Sequence, residues 1–122
     1  SPSLMPELSL LENIKYFLFN ENINETTISN VLDKYELDSF KSDLIGDFSS
    51  GMVKRSEIAI ADLKNPKVLC IDEPKVYLDE NGVDLLLNLI TKREKEGSTS
   101  ILSSQESIGS FTSIERSFNL DD

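Results

Sequence analysis

Two adjacent acids, Asp72 and Glu73, close a short apolar run, Val68 to Ile71, and are followed at once by Pro74. A run of that length bounded by Pro66 and Pro74 reads as a strand buried on both faces, the pattern of parallel sheets in α/β proteins. The acids then stand at its carboxyl end, the edge where open α/β sheets bind ligands. A carboxylate pair is costly to bury there unless it meets a metal, a cation or hydrogen-bond donors. One such carboxylate can hold Mg²⁺, usually through water, while its neighbour polarises a water for attack on phosphorus. A solvated loop is the plain alternative. A second candidate is Phe48 to Met52, FSSGM, at the start of a helical pattern. Exposed backbone N–H groups, Gly51 and the hydroxyls of Ser49 and Ser50 would suit an anion, above all phosphate, although an ordinary helix cap has the same composition.

Composition narrows the chemistry further. The chain has 122 residues, one cysteine and no histidine, which excludes zinc sites of ordinary ligand type and histidine-dependent triads. Catalysis is left to carboxylates, hydroxyls and lysines. Cys70 falls inside the proposed buried strand and reads as a small buried hydrophobe. With 22 acids against 12 bases the net charge is −10, which opposes binding to nucleic acid or to an anionic lipid surface. The longest apolar stretches, such as Leu85 to Leu87 and Tyr16 to Phe19, are far below the roughly 20 residues that cross a bilayer, so direct membrane insertion is not expected.

The elements around these residues follow from periodicity and caps. Ser9 and Glu12 form a capping box that starts a helix with Leu10, Leu11, Ile14, Phe17 and Leu18 inward, ending near Asn20 to Asn24. A second helix, about Glu25 to Tyr35, places Ile28, Val31, Leu32 and Tyr35 on one stripe. A short third element holds Leu37, Phe40 and Leu44. Ser49 caps a further helix through about Leu63, with Val53, Ile60 and Leu63 inward, and the strand Lys67 to Ile71 follows directly. Glu80 to Glu96 is a helix with Val83, Leu86, Leu87 and Ile90 buried, Lys92 and Arg93 near its end, and Gly97 as terminator. A strand from Thr99 to Ser103 comes next, and ERSFNL at 115–120 has the alternation of another. So few parallel strands, with helices on one side, do not close an α/β core.

Taken together, the motifs resemble the ATP-binding subunits of ABC transporters. Phe48-Ser49-Ser50-Gly51-Met52 is similar to the Leu-Ser-Gly-Gly-Gln signature, KVLCIDEP to the Walker B strand, and Tyr77-Leu78-Asp79 to the D-loop. The phrases SLLENIKYF, SSGMVKR, LDENGVDLLLNLI and ILSSQES look most like the haem-exporter ATPase of cytochrome c maturation, the CcmA type. The resemblance implies an α/β, partial P-loop NTPase fold: a helical subdomain at 1–47, then at 48–122 the signature helix, Walker B strand, D-loop, switch-residue strand and C-terminal strand of the core. It implies Mg²⁺ at Asp72, general-base work by Glu73, and contact of Ser49, Ser50 and Gly51 with the γ-phosphate of ATP held by an opposite subunit. Asp79 would couple the two sites. Gln105 stands where the family has a switch histidine; it can hydrogen-bond to phosphate but cannot carry that charge. The signature departs too, with Phe48, Ser50 and Met52 in place of Leu, Gly and Gln.

The implied partners are an N-terminal half bearing the Walker A loop, a second ATPase subunit and membrane permease subunits. The implied location is peripheral, on the bacterial cytoplasmic face or the mitochondrial matrix side of the inner membrane. A non-catalytic structural or regulatory subunit that kept the fold is the alternative. In family order these residues follow the Q-loop, so the strand, phosphate loop and helix that grip ATP are expected to lie outside them. The sole G-x-x-x-x-G spacing, Gly46 to Gly51, is followed by Met52 and Val53 where Lys and Ser or Thr are required. These 122 residues alone should therefore give a flat calorimetric titration with Mg-ATP. A micromolar dissociation constant would overturn that expectation.

Overall fold

The computed structural model describes residues 3–103. They form two compact units that divide between Asn65 and Pro66. The first is helical: α1 is Leu10–Phe17, α2 is Glu25–Lys34 and α3 is Ser50–Lys64, with two single-turn 3₁₀ helices, Asp38–Phe40 and Ile45–Asp47, between α2 and α3. The second contains β1, Val68–Asp72, then α4, Glu80–Lys95, then β2, Thr99–Ser103. Residues 115–120, expected as a strand, lie outside the described residues.

Caps set the helix starts in the first unit. Ser9 accepts the Glu12 N–H while Glu12 accepts the Ser9 N–H, so the box satisfies two donors that the first turn of α1 leaves without intrahelical partners. Asn24 caps α2 through the Thr27 N–H. Leu10 and Ile14 from α1 with its C-cap Leu18, Ile28 and Leu32 from α2 with its C-cap Tyr35, and Leu37 form the core with α3. Of the short third element, Leu37 is buried while Phe40 and Leu44 remain 40% and 45% exposed, and its residues Asp38–Phe40 form a single 3₁₀ turn.

Polar groups are buried in this unit with their partners. Asn13, fully buried, accepts the Met5 N–H at 2.7 Å and donates to the Met5 and Ser9 carbonyls at 3.1 and 2.9 Å, which ties the entering loop to α1. Tyr35 donates its hydroxyl to Asp62 of α3 at 2.9 Å, and Lys34 meets the same carboxylate oxygen at 2.6 Å. Burial, and then the Asp62 charge, push the Tyr35 phenol well above its ordinary range, so it stays a donor at all physiological pH. These links hold α3 among the N-terminal helices. The compact packing of this unit runs on to Asn65 and so takes in α3.

In the second unit β1 and β2 are parallel, in register from Val68↔Thr99 to Asp72↔Ser103. Helix α4 forms the crossover that parallel neighbours require. Leu69, Ile71, Ser100 and Leu102 are buried on one face, and α4 packs against β2 with Leu86, Leu89 and Ile90 buried. The opposite face is open: Val68 is 55% and Ile101 38% exposed. Cys70 lies on it and is exposed, which corrects its reading as a buried hydrophobe. The strand has apolar residues for two faces, and the described residues cover one of them.

Arg93 differs from a solvated basic residue at a helix end. It is fully buried, donates from Nε to the Ser100 hydroxyl at 2.9 Å and from Nη2 to the Thr99 carbonyl at 2.7 Å, and so ties the last turns of α4 to β2. Gly97, at φ +81°, makes the turn between them in a conformation that glycine adopts without strain.

Asn13→Ala removes the donor and acceptor that serve these buried backbone groups. It should lower unfolding free energy by about 2 kcal/mol, read from urea denaturation. A change below about 0.5 kcal/mol, the range of an ordinary surface substitution, would show that the loop is held by other contacts.

Candidate functional site

The carboxyl end of β1 gathers the acid pair. Asp72 is the last strand residue and is exposed; Glu73, half-buried, is the first residue beyond it. Both are attached to the end of β2. Ser103 donates its hydroxyl to Asp72 Oδ1 at 2.5 Å, and its carbonyl accepts the Glu73 N–H at 2.6 Å. The same residue therefore fixes a side chain of one acid and the backbone of the other.

The chain then turns sharply. Glu73 has φ +48°, a left-handed conformation costly for a residue with a Cβ. Pro74 is fully buried behind it. The Val76 N–H donates to the Glu73 carbonyl at 3.1 Å and the Leu78 N–H to the Lys75 carbonyl at 3.2 Å, with Tyr77 also left-handed at φ +68°. This compact turn ends at Asp79, which caps α4 by accepting the Gly82 N–H at 2.7 Å. A Cβ at Gly82 would lie 2.9 Å from Leu78 Cδ2, so glycine lets the turn close against the helix start.

The Ser-Gly segment lies in the other unit. Ser49 has extended backbone and accepts the Met52 N–H at 3.1 Å, capping the 15-residue α3. Ser49 and Ser50 are exposed at the helix entrance and Gly51 is half-buried. The helix thus starts with accessible backbone donors and two hydroxyls, the arrangement that favours an anion. Gln105 lies outside the described residues. Among the described residues no group of three or more His, Cys, Asp or Glu side chains could hold a metal ion, and no helix is long and apolar enough to cross a membrane.

Sequence reasoning singles out both acids, Asp79 and the serine cap, but misses Ser103. The signal was available: two five-residue parallel strands of equal length place Ser103 beside Asp72. The positive φ at Glu73 had no such signal, because left-handed geometry is usually marked by Gly or Asn.

Residues 1–76 match the ABC transporter family model, and the chain belongs to that family. The lantibiotic transport ATP-binding protein SrtF of Streptococcus pyogenes is 35% identical over 103 residues, covering 84% of this chain and 45% of that protein. The cytochrome c biogenesis ATP-binding export protein CcmA of Shewanella oneidensis is 29% identical over 103 residues, 84% of this chain and 48% of that protein. A solved ATP-binding subunit of an ABC transporter superposes with a TM-score of 0.79 at 25% identity, over 97% of this chain and 49% of that one. The fold is therefore that of an ABC ATPase cassette, a P-loop NTPase fold, present here in part. The chain spans about half the length of the curated relatives it matches.

Strain at Glu73 gives a measurable signature. Glu73→Gly should be about 1 kcal/mol more stable than Glu73→Ala in denaturant melts, the reverse of the usual order, because only glycine accepts φ +48° freely. Equal or lower stability of the glycine variant would mean that the turn relaxes.

Proposed function

We propose that this chain is the C-terminal part of an ABC-type ATPase subunit of a membrane transporter, contributing a signature face and a Walker B edge to composite nucleotide sites. The observation that carries the reading is the Asp72–Glu73 pair at the end of a parallel strand, both members held by Ser103. Asp72 is an exposed carboxylate at a strand edge without a surrounding acidic cage among the described residues. That suits Mg²⁺, which keeps several waters and takes one or two carboxylates together with substrate phosphates. When bound, Mg²⁺ and ATP supply the phosphoryl group and the neutralisation of charge on its oxygens.

The chain's own residues would do the rest. Asp72 would hold the metal's hydration shell from one side. Glu73 would orient a water and accept its proton, with its backbone fixed by the bond to Ser103. Ser49, Ser50 and Gly51 would offer hydroxyls and amides to the γ-phosphate of a nucleotide gripped by an opposite subunit. Asp79, which sets the start of α4 at the end of the same turn, would couple the two sites. Gln105 would meet the γ-phosphate as a neutral hydrogen-bonding switch residue. A Walker A loop, from sequence beyond these residues or from a separate N-terminal half, would grip the α and β phosphates.

The partners on this reading are that Walker A-bearing part, a second ATPase subunit and permease subunits, with the chain peripheral on a bacterial cytoplasmic face or the mitochondrial matrix side. Haem export for cytochrome c maturation is the finer reading, supported by the phrases SLLENIKYF and ILSSQES. The similarity to a lantibiotic ATPase leaves cargo to the permease, so the permease that co-purifies tests this part. The second reading is a non-catalytic structural or regulatory subunit, favoured by Gln105 and by Phe48, Ser50 and Met52 in the signature.

The readings separate by two substitutions in the purified transporter assembly. If this chain hydrolyses ATP, Glu73→Gln should lower turnover by roughly 100-fold or more while nucleotide still binds. If it only presents its signature to a site elsewhere, Ser49→Arg should abolish turnover and Glu73→Gln should change little. Turnover untouched by both, in an assembly that still requires the chain, would establish the structural subunit.

A further inference from the structure

We infer that Ser103 is a positioning residue for the metal-binding carboxylate, and that its hydroxyl sets which oxygen of Asp72 faces the cation; this rests on the nucleotide-site reading above. The register places Ser103 directly beside Asp72, on the same face of the sheet and at the last step of both strands. Adjacent strands lie about 4.8 Å apart, so a short hydroxyl side chain reaches its neighbour's carboxylate without bending the backbone. The Oγ to Oδ1 distance of 2.5 Å is that of a charge-assisted bond, the stronger kind. A carboxylate that accepts such a bond at Oδ1 loses rotational freedom about its last torsion, and Oδ2 is directed away from the donor.

The backbone makes the same residue serve both acids. The Ser103 carbonyl accepts the Glu73 N–H at 2.6 Å, so the left-handed turn at Glu73 begins from a fixed point on β2. The two bonds differ in what a substitution removes. Changing the side chain deletes the bond to Asp72 and leaves the backbone bond to Glu73 in place. Ser103 is exposed, so its removal leaves no cavity and no buried orphan. A bond of this kind behind a metal-binding carboxylate typically matters about 10- to 100-fold for metal affinity or activity.

The test uses the purified assembly with nucleotide and Mn²⁺ as a paramagnetic stand-in for Mg²⁺, with bound metal read by electron paramagnetic resonance. Ser103→Ala should weaken Mn²⁺ binding by roughly 10-fold with the melting temperature unchanged, and Ser103→Thr, which keeps the hydroxyl and suits a strand, should restore it. Asp72→Asn is measured in parallel. If Asp72→Asn weakens the metal and Ser103→Ala does not, the role of Ser103 is overturned and the site stands. If neither does, both are overturned. A Ser103→Thr variant as weak as Ser103→Ala would also overturn the inference, since the hydroxyl would then not be the group that matters.

Discussion

The parallel pairing of β1 with β2 is the constraint on which the second unit depends. Parallel strands cannot be joined by a tight turn, so the chain from Glu73 to Ser98 must leave the end of one strand and return to the start of the other. That return is helical because a helix satisfies its own backbone while covering apolar side chains. It also dictates polarity: the outgoing turn lies at the carboxyl end of β1, beside the carboxyl end of β2. Asp72, Glu73 and Ser103 meet there because the two strands have equal length and no offset. A slip of one residue would turn Ser103 to the opposite face from Asp72 and place Ile71 and Leu102 out of step with the cover of α4.

The opposite end of β2 is anchored to α4. Buried Arg93 binds Ser100 and the Thr99 carbonyl, while the Ser98 N–H returns to the Arg93 carbonyl at 2.9 Å. The guanidinium fork is rigid and planar, so it positions the first two residues of β2 against the last turns of α4. The charge at one end of the strand and the hydroxyl at the other thus act along the same five residues. The apolar contacts of Leu69, Ile71 and Leu102 alone would not distinguish this register from one shifted by two residues, since such a shift keeps every side chain on its own face; the bond from the Ser103 hydroxyl to Asp72 does. In this sense the burial of Arg93 specifies geometry more than it adds stability.

Much of this was legible from residue types. The Ser9–Glu12 box, the Ser49 cap, Gly97 and the limits of β2 are local signals whose physics acts within a few residues, and the structure follows them. What escaped was set by contacts distant in sequence. Cys70 and Val68 read as buried because a strand written for cover on both faces looks the same whether or not the second cover is present. Arg93 read only as a basic residue near the helix end because its acceptors, at 99 and 100, become neighbours only when the chain reverses. Val53 and Leu87 were expected inside and are half-buried, while Ile58, Ala59 and Leu89 are buried, a drift that the 3.6-residue period permits over a long helix.

The open sheet face and the strained turn bear on the same question of what the chain is built for. Apolar residues at Val68 and Ile101 cost solubility while exposed, and φ +48° at Glu73 costs stability that a glycine would return. Neither feature is needed to fold β1–α4–β2, whose core is Leu69, Ile71, Leu86, Leu89, Ile90 and Leu102. A sequence selected only to be a stable scaffold would place polar residues on the open face and Gly or Asn at position 73. Keeping a carboxylate at a strained position, with its amide anchored to the neighbouring strand, has a physical use when that carboxylate must be aimed. The strain is offset in the folded state by the buried Pro74 and the bond to Ser103, which hold the Glu73 backbone in its left-handed turn.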